Sequence, residues 1–318
     1  MADELDKISV SLQKYLDEGM EGAQAAVQIM INSVTNFTAG TIMGLEQELG
    51  NTAELIRSTT IGSSIEIRAC LETFISAAGR SGFGEQPDVG LAKKCIVSAG
   101  EAVRDSIAES HQLIAKHAHN LIQDGSRILT TSCSSAVEAI LASSVATRKD
   151  IKVYVALGYP TRKSYEMVRN LQKLGVRSTV LPDSAVGSLV EQIDVVLVGA
   201  EAVMENGAVV NATGTFLLAL AAKAAGKPLY VAVERYKFIR LYPLNQNDLR
   251  VLAPESSELE PIEDIEQELK QNIDFFNPQL DLTPPEYIQM LLTDEGLLPP
   301  SAVSDTLIQK IYRNYVRC

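Results

Sequence analysis

From residue 5 to about 122, apolar residues recur at helical spacing. Leu12, Tyr15 and Leu16 are followed by Ala23, Ala26, Val27 and Met30, an i, i+3, i+4 pattern that predicts helices. Thr41 to Ile56 and Ile65 to Ala77 repeat it. After a breaker-rich stretch, Ser81-Gly82-Phe83-Gly84-Glu85-Gln86-Pro87-Asp88, the run Leu91 to Ile122 reads as one long helix. Ile96, Val103, Ile107, Ile114 and Leu121 form its buried side, and strand signal is almost absent from this half.

The pattern changes at Asp124-Gly125-Ser126, a helix stop followed by turn chemistry. Five short apolar runs rich in β-branched residues follow: Arg127 to Thr131, Lys152 to Leu157, Ser178 to Leu181, Val195 to Gly199 and Leu229 to Val233. Segments of helical spacing separate them, at Ser134 to Thr147, Ser164 to Leu174, Ala185 to Gln192 and Thr215 to Ala225. Alternating strands and helices, with strands apolar on both faces, predict a parallel sheet with right-handed crossover helices. The predicted fold class is α/β. An N-terminal all-helical domain, residues 1–122, precedes a Rossmann-like open, mainly parallel sheet with helices on both faces, residues 123–318. From Val251 to Asp281 the chain turns acidic and irregular, which predicts an exposed excursion, partly helical around Ile262 to Asn272.

Composition narrows the classes. With 46% hydrophobic and 21% charged residues over 318 positions, the chain is globular and long enough for two cores. No uncharged apolar run of about 18 residues occurs, so no membrane span is expected, and the acidic start Met1 to Lys7 does not resemble a secretion signal. The formal net charge of −12 and the lack of any long Lys/Arg cluster argue against direct nucleic-acid binding. Cys70, Cys95, Cys133 and Cys318 are far apart, which favours reduced thiols over a disulfide framework or a zinc cluster. His117 and His119 point to different faces of a helix and, with His111, make poor metal ligands; locally bonded or solvated histidines are expected, and no metal or other cofactor is implied.

Ligands of open α/β sheets collect beyond the carboxyl ends of the strands. Three such loops carry candidate chemistry. Thr130-Thr131-Ser132-Cys133-Ser134-Ser135 can hold a phosphate through hydroxyls and amides, or simply cap a helix. Asp183 can bind a sugar hydroxyl, move a proton, or cap the next helix. The long loop Gly199 to Thr215 places Glu201 at a strand end, a tight turn at Asn206-Gly207, and Asn211 before Gly214. Cys133 at a helix start can have a lowered pKa or be a buried thiol. Neither a GxGxxG nor a P-loop motif is present, and no His lies in this half to serve a Ser or Cys nucleophile.

The third loop and its sequel carry a specific likeness. Val198-Gly199-Ala200-Glu201, Glu205-Asn206-Gly207, Asn211, Gly214-Thr215, Lys227-Pro228-Leu229-Tyr230-Val231, and Tyr236-Lys237-Phe238 with Pro243 to Leu249 resemble the regulatory alpha subunits of eukaryotic translation initiation factor 2B. Thr283-Pro284-Pro285, Leu292 to Gly296 and Pro300 to Asp305 fit as well, and Thr41 to Leu45 more weakly. The superfamily is shared with methylthioribose-1-phosphate and ribose-1,5-bisphosphate isomerases, which are similar in using a Cys after the first sheet strand and an Asp in a Gly-Ala-Asp strand end. By motif position these fall on Ser132 and Glu201, with Cys133 one residue late. One residue along a helix start turns a side chain by about 100°, and a small misplacement can lower a rate by about 100-fold. The isomerases' Asn-Lys appears here as Asn211-Ala212, a change that also departs from the alpha subunits, and their Glu-Thr-Arg-Pro appears as Leu157-Gly158-Tyr159-Pro160. Arg162, Lys163 or Arg68 can replace the lost cations.

The resemblance therefore implies a cytoplasmic, non-catalytic subunit of the guanine nucleotide exchange factor for initiation factor 2, with Ser132, Cys133 and Glu201 as a degenerate isomerase site. It implies a homodimer bridging the other subunits of the factor 2B complex. It also implies contact with initiation factor 2, including the phosphorylated alpha subunit that turns exchange down under stress. Arg57, Arg68 and Arg80 are candidates for that phosphoserine contact, or members of solvated helix faces. The alternatives are a sugar-phosphate isomerase, or a pocket of Thr130, Thr131, Ser132, Asp183, Glu201, Asn211 and Arg68 that binds a sugar phosphate or nucleotide monophosphate without turnover.

Overall fold

A computed structural model of the 318-residue chain describes residues 2–38, 40–62, 64–82, 88–159, 163–249, 276 and 278–312. Arg162, Cys318 and nearly all of the acidic excursion lie outside them. The chain divides into two compact units: Met1–Ser110 with Tyr236–Ile239 and Asp305–Cys318, and His111–Arg235 with Arg240–Ser304.

The first unit is helical. Its elements are α1 (Ala2–Asp17), α2 (Gly22–Asn36), α3 (Ile42–Arg57), α4 (Ile65–Gly82) and most of α5 (Val89–Ala118). The predicted periodicities fall on helices except at the end of the long helix, where Leu121, expected on its buried side, lies in the turn beyond it and is half-buried. Thr41 caps α3 by accepting from Gly44 N at 3.1 Å, and Glu21 caps α2 in a capping box with Gln24. Leu12, Met30, Leu45, Ile56, Leu71, Phe74 and Ile96 are buried to completion in one core. The long helix ends at Ala118, short of Ile122, because His119 N and Leu121 N turn back to Lys116 O and Ala118 O three residues earlier. Cys70 and Cys133 are not in disulfides, and the Cys70 thiol donates to Ala23 O at 3.5 Å. Cys95 is disulfide-bonded, which corrects the expectation of reduced thiols throughout.

The second unit carries the sheet. β1 (Arg127–Thr131), α6 (Ser135–Ala146), β2 (Lys152–Ala156), α7 (Lys163–Lys173) and β3 (Arg177–Leu181) match the predicted alternation. Beyond β3 the predicted helix at Ala185 to Gln192 is broken into two 3₁₀ turns around the single turn α8 (Val186–Leu189). Gly187 and flanking β-branched residues are weak helix formers. β4 (Val195–Val198), β5 (Ala202–Met204), β6 (Val209–Ala212), α9 (Thr215–Ala224), β7 (Leu229–Ala232), β9 (Leu280–Thr283), β10 (Met290–Thr293) and β11 (Gly296–Leu298) complete this unit, while β8 (Phe238–Ile239) and most of α10 (Val303–Tyr312) are counted with the first.

The main sheet runs β11-β10-β7-β4-β1-β2-β3 and is parallel except for β11. Leu129 sits between Tyr154 of β2 and Val196 of β4. Such central strands are buried on both faces, which explains why burial runs through consecutive residues instead of alternating. The chain leaves β1 toward β2 and returns to the other side of β1 as β4. The switch point of the strand order, where crevices open in doubly wound sheets, is therefore at the carboxyl ends of β1 and β4. The stretch expected as one long loop after β4 instead forms the antiparallel hairpin β5–β6, closed at Asn206-Gly207 by Gly207 N to Met204 O at 2.8 Å. β9 pairs antiparallel with β6, setting Asp281 opposite Asn211.

Candidate functional site

The loops after β1, β2, β3 and β6 converge at the switch point. Thr131 ends β1 and Ser132 follows it, both buried, and Ser132 takes a left-handed φ of 58°, a strained conformation for a residue with a side chain. Gly158, after β2, has φ 61°, and a Cβ there would lie 2.7 Å from Thr131 Oγ1. Gly214, before α9, has φ 103°, and its Cβ would lie 3.4 Å from Asp183 Oδ1 and 4.0 Å from Thr131 Oγ1. At Gly158 only glycine fits both the dihedral and the space; at Gly214 the added Cβ would make ordinary contacts, and the positive φ alone favours glycine.

Asp183 ties these loops together. Its Oδ1 accepts from Gly158 N at 3.0 Å and its Oδ2 from Tyr159 N at 3.4 Å. The Ser164 hydroxyl donates to Leu157 O, fixing the same turn from α7. Thr131 Oγ1 donates to Ala156 O at 3.4 Å, whereas Thr130 Oγ1 is buried with no partner. Ser134 caps α6, its hydroxyl accepting from Val137 N at 3.5 Å. In this loop the capping role and the hydroxyl cluster coexist on different residues.

Cys133 and Glu201 are engaged elsewhere. The Cys133 thiol donates to Glu138 Oε1 at 3.1 Å, and Asn170 Nδ2 donates to the same oxygen at 2.8 Å. Burial pushes the Cys133 thiol far above its ordinary value, the Glu138 hydrogen bond and the Glu138 and Glu166 charges push the same way, and Lys163 opposes them. A lowered pKa at this helix start is thereby corrected. Glu201 faces Lys163, Oε1 to Nζ 3.6 Å, with the lysine side chain 57% exposed. Asn211 is internal to its own turn: Nδ2 donates to Thr215 Oγ1 at 3.0 Å, which donates to Ala212 O at 2.8 Å.

The N-terminus of α9 is already occupied by a carboxylate. Asp281 Oδ2 accepts from Gly214 N at 2.8 Å and Phe216 N at 3.0 Å. Burial raises this carboxyl to about 7, against the amides of Gly214, Thr215 and Phe216, which favour the charged form. Its Oδ1 is buried without a partner. Nothing local in the sequence marks Asp281 as this cap; only the β6–β9 register brings it there. Glu138 and Asn170, which hold the thiol, carry no sequence signal either.

The predicted arginines lie apart from this crevice in sequence and element. Arg57, in the last turn of α3, pairs with Glu54 at 3.5 Å, and its Nε is buried without a partner among the described residues. Arg68 is half-buried in α4, and Arg80 Nη1 donates to Ser76 Oγ at 2.6 Å. His111 Nε2 lies 2.6 Å from Glu234 Oε1, and His117 Nδ1 donates to Thr293 O at 3.0 Å. Among the described residues no group of three or more His, Cys, Asp or Glu side chains could hold a metal ion, and no helix is long and apolar enough to cross a membrane.

A family model described as IF-2B, the Initiation factor 2 subunit family, matches residues 19–300. Translation initiation factor eIF2B subunit alpha of Dictyostelium discoideum is 33% identical over 290 residues, 90% of each chain. Ribose 1,5-bisphosphate isomerase of Methanocaldococcus jannaschii is 32% identical over 208 residues, 65% of this chain and 66% of that enzyme. Among solved structures, a chain of the tetrameric eIF2B-beta2-delta2 complex from C. thermophilum superposes with a TM-score of 0.75 at 20% identity, covering 97% of this chain and 95% of that one.

Proposed function

The chain belongs to the Initiation factor 2 subunit family, and on that premise we propose that it is a regulatory and assembly subunit without isomerase activity. In this reading it joins other subunits of the exchange factor for initiation factor 2, in the cytoplasm, and bridges them as a homodimer. Its helical unit helps sense phosphorylated initiation factor 2, with Arg57, Arg68 and Arg80 as the candidate phosphate contacts. The 90% coverage of an eIF2B alpha subunit supports the family role, and the solved beta–delta complex supports partners of the same family.

One observation carries the non-catalytic half of the reading. Moving a proton between adjacent carbons of a sugar phosphate needs a base and an acid facing the substrate, a role that the resemblance to the isomerases assigns to a Cys and a carboxylate. Here the Cys133 proton is held by Glu138, and Glu201 is paired with Lys163. The test is affinity purification of the tagged chain from cells. Recovery of exchange-factor subunits in defined proportion supports the reading; recovery of the chain alone, as an active isomerase, contradicts it.

A second reading is favoured by the convergence of Thr131, Gly158, Asp183 and Gly214 around the strained Ser132. Such a crevice binds a sugar phosphate or nucleotide monophosphate without turning it over, reporting metabolic state. Because Asp281 fills the α9 terminus, the phosphate is held on the β1–α6 side, by Ser132 and neighbouring amides. Thermal shift with pentose and hexose phosphates tests it, since a ligand at 100 times its dissociation constant stabilises by about 2.7 kcal/mol; no shift across the panel rejects it.

A further inference from the structure

A second cleft, separate from the strand ends, lies within the sheet unit between α5 and α6. Its volume is about 630 Å³, within the range of small-molecule sites. Gln112, Lys116, His119 and Asn120 line it from one side, spaced as one face of α5 and the turn that follows it. Ala139 and Ser143, one turn apart on α6, line the other, with the Ala115 methyl between.

Three features give this cleft a chemical preference. The chain carries 40 Asp and Glu residues and a net charge of −12, yet no carboxylate is among the lining residues. Lys116 supplies a full positive charge there. Among the described residues, the side chains of Gln112, Lys116, His119, Asn120 and Ser143 make no hydrogen bond or ion pair within the protein, so donors and acceptors from both walls are available to one occupant. The negative end of α5 would ordinarily disfavour an anion. Lys149 answers it, its Nζ donating to His119 O at 2.6 Å and holding a second ammonium at that end.

We propose that this cleft binds a small hydroxylated organic anion, its carboxylate or phosphate on Lys116 and its hydroxyls on the Gln112, Asn120 and Ser143 groups. The lining holds no Phe, Tyr or Trp ring, and the small His119 imidazole is the one planar group a base could stack on, so the cleft is poorly matched to a nucleobase. The methyls of Ala115 and Ala139 suit a short carbon chain.

Isothermal titration calorimetry of the full chain with glycerol 3-phosphate, glycerate and glycerol tests the proposal and separates a phosphate from a carboxylate head. One or both anions bind at a single site, and neutral glycerol does not. Lys116→Glu weakens binding by at least about tenfold, as expected when a charge-assisted contact is reversed. Ala139→Phe fills the cleft and also removes binding, while Lys163→Glu, at the strand-end crevice, leaves it intact. Three results overturn the proposal: no binding of either anion up to about 10 mM, beyond the weakest specific sites; equal binding of glycerol; or loss on Lys163→Glu with both cleft variants unaffected.

Discussion

The Cys133 thiol donates its proton to Glu138, 3.1 Å away in the first turn of the helix that Cys133 precedes. That helix start, which ordinarily favours a thiolate, is overridden by burial and by the Glu138 and Glu166 carboxylates. Cys133 therefore stays protonated through neutral pH. At pH 8 an iodoacetamide probe followed by mass spectrometry should modify Cys133 at least about 100-fold more slowly than an ordinary cysteine of pKa about 8.5. Glu138→Ala removes the hydrogen bond and one charge, so it should accelerate modification. Equal rates in both proteins would show that Glu138 does not hold the proton.

Asp281 gives a pH dependence of definite sign. Its folded value, about 7, lies above the unfolded value of about 3.9, so the folded state binds the extra proton. Its contribution to stability is complete below about pH 4 and is lost as pH rises to about 7, by an amount on the order of a few kcal/mol. Asp281→Asn keeps an oxygen for the α9 amides and removes the titration. Urea unfolding at pH 5 and pH 7.5 should show the native protein losing stability relative to the variant; a constant difference between them contradicts the assignment.

Gly158 should not tolerate a side chain. Its φ of 61° and the 2.7 Å approach of a Cβ to Thr131 Oγ1 combine backbone strain with a clash, predicting a loss of about 1–3 kcal/mol for Gly158→Ala. Gly226 has a similar φ of 64° and nothing within 4 Å, so Gly226→Ala isolates the dihedral term at about 1–2 kcal/mol. The difference in urea midpoints measures the tightness of the strand-end cluster.

The Lys163–Glu201 pair should matter little for folding. At 3.6 Å with a 57% exposed lysine it contributes at most about 1 kcal/mol. Lys163→Ala should leave the urea midpoint nearly unchanged; a large loss would show the pair to be structural.

The parts of the fold written in local pattern were legible. β1, β2, β4 and β7 are short runs rich in β-branched and apolar residues, buried at consecutive positions as in a sheet covered on both faces, and α1 to α5 carry plain 3.6-residue spacing. The short antiparallel strands β5 and β6 were not legible. Ala202–Met204 and Val209–Ala212 look like loop because two-residue periodicity needs more length to register. The site divides the same way: Ser132, Asp183 and Gly214 stood at strand ends in the sequence, whereas the Asp281 cap depends on pairing across 65 residues or more.

The account turns on whether the crevice still performs the chemistry of its enzymatic relatives. The direct measurement is incubation of the purified chain with ribose 1,5-bisphosphate, following formation of the ketose isomer by NMR. The account predicts no conversion above background, for the native chain and for Glu201→Gln and Cys133→Ser alike. Conversion by the native chain that either substitution abolishes would contradict it.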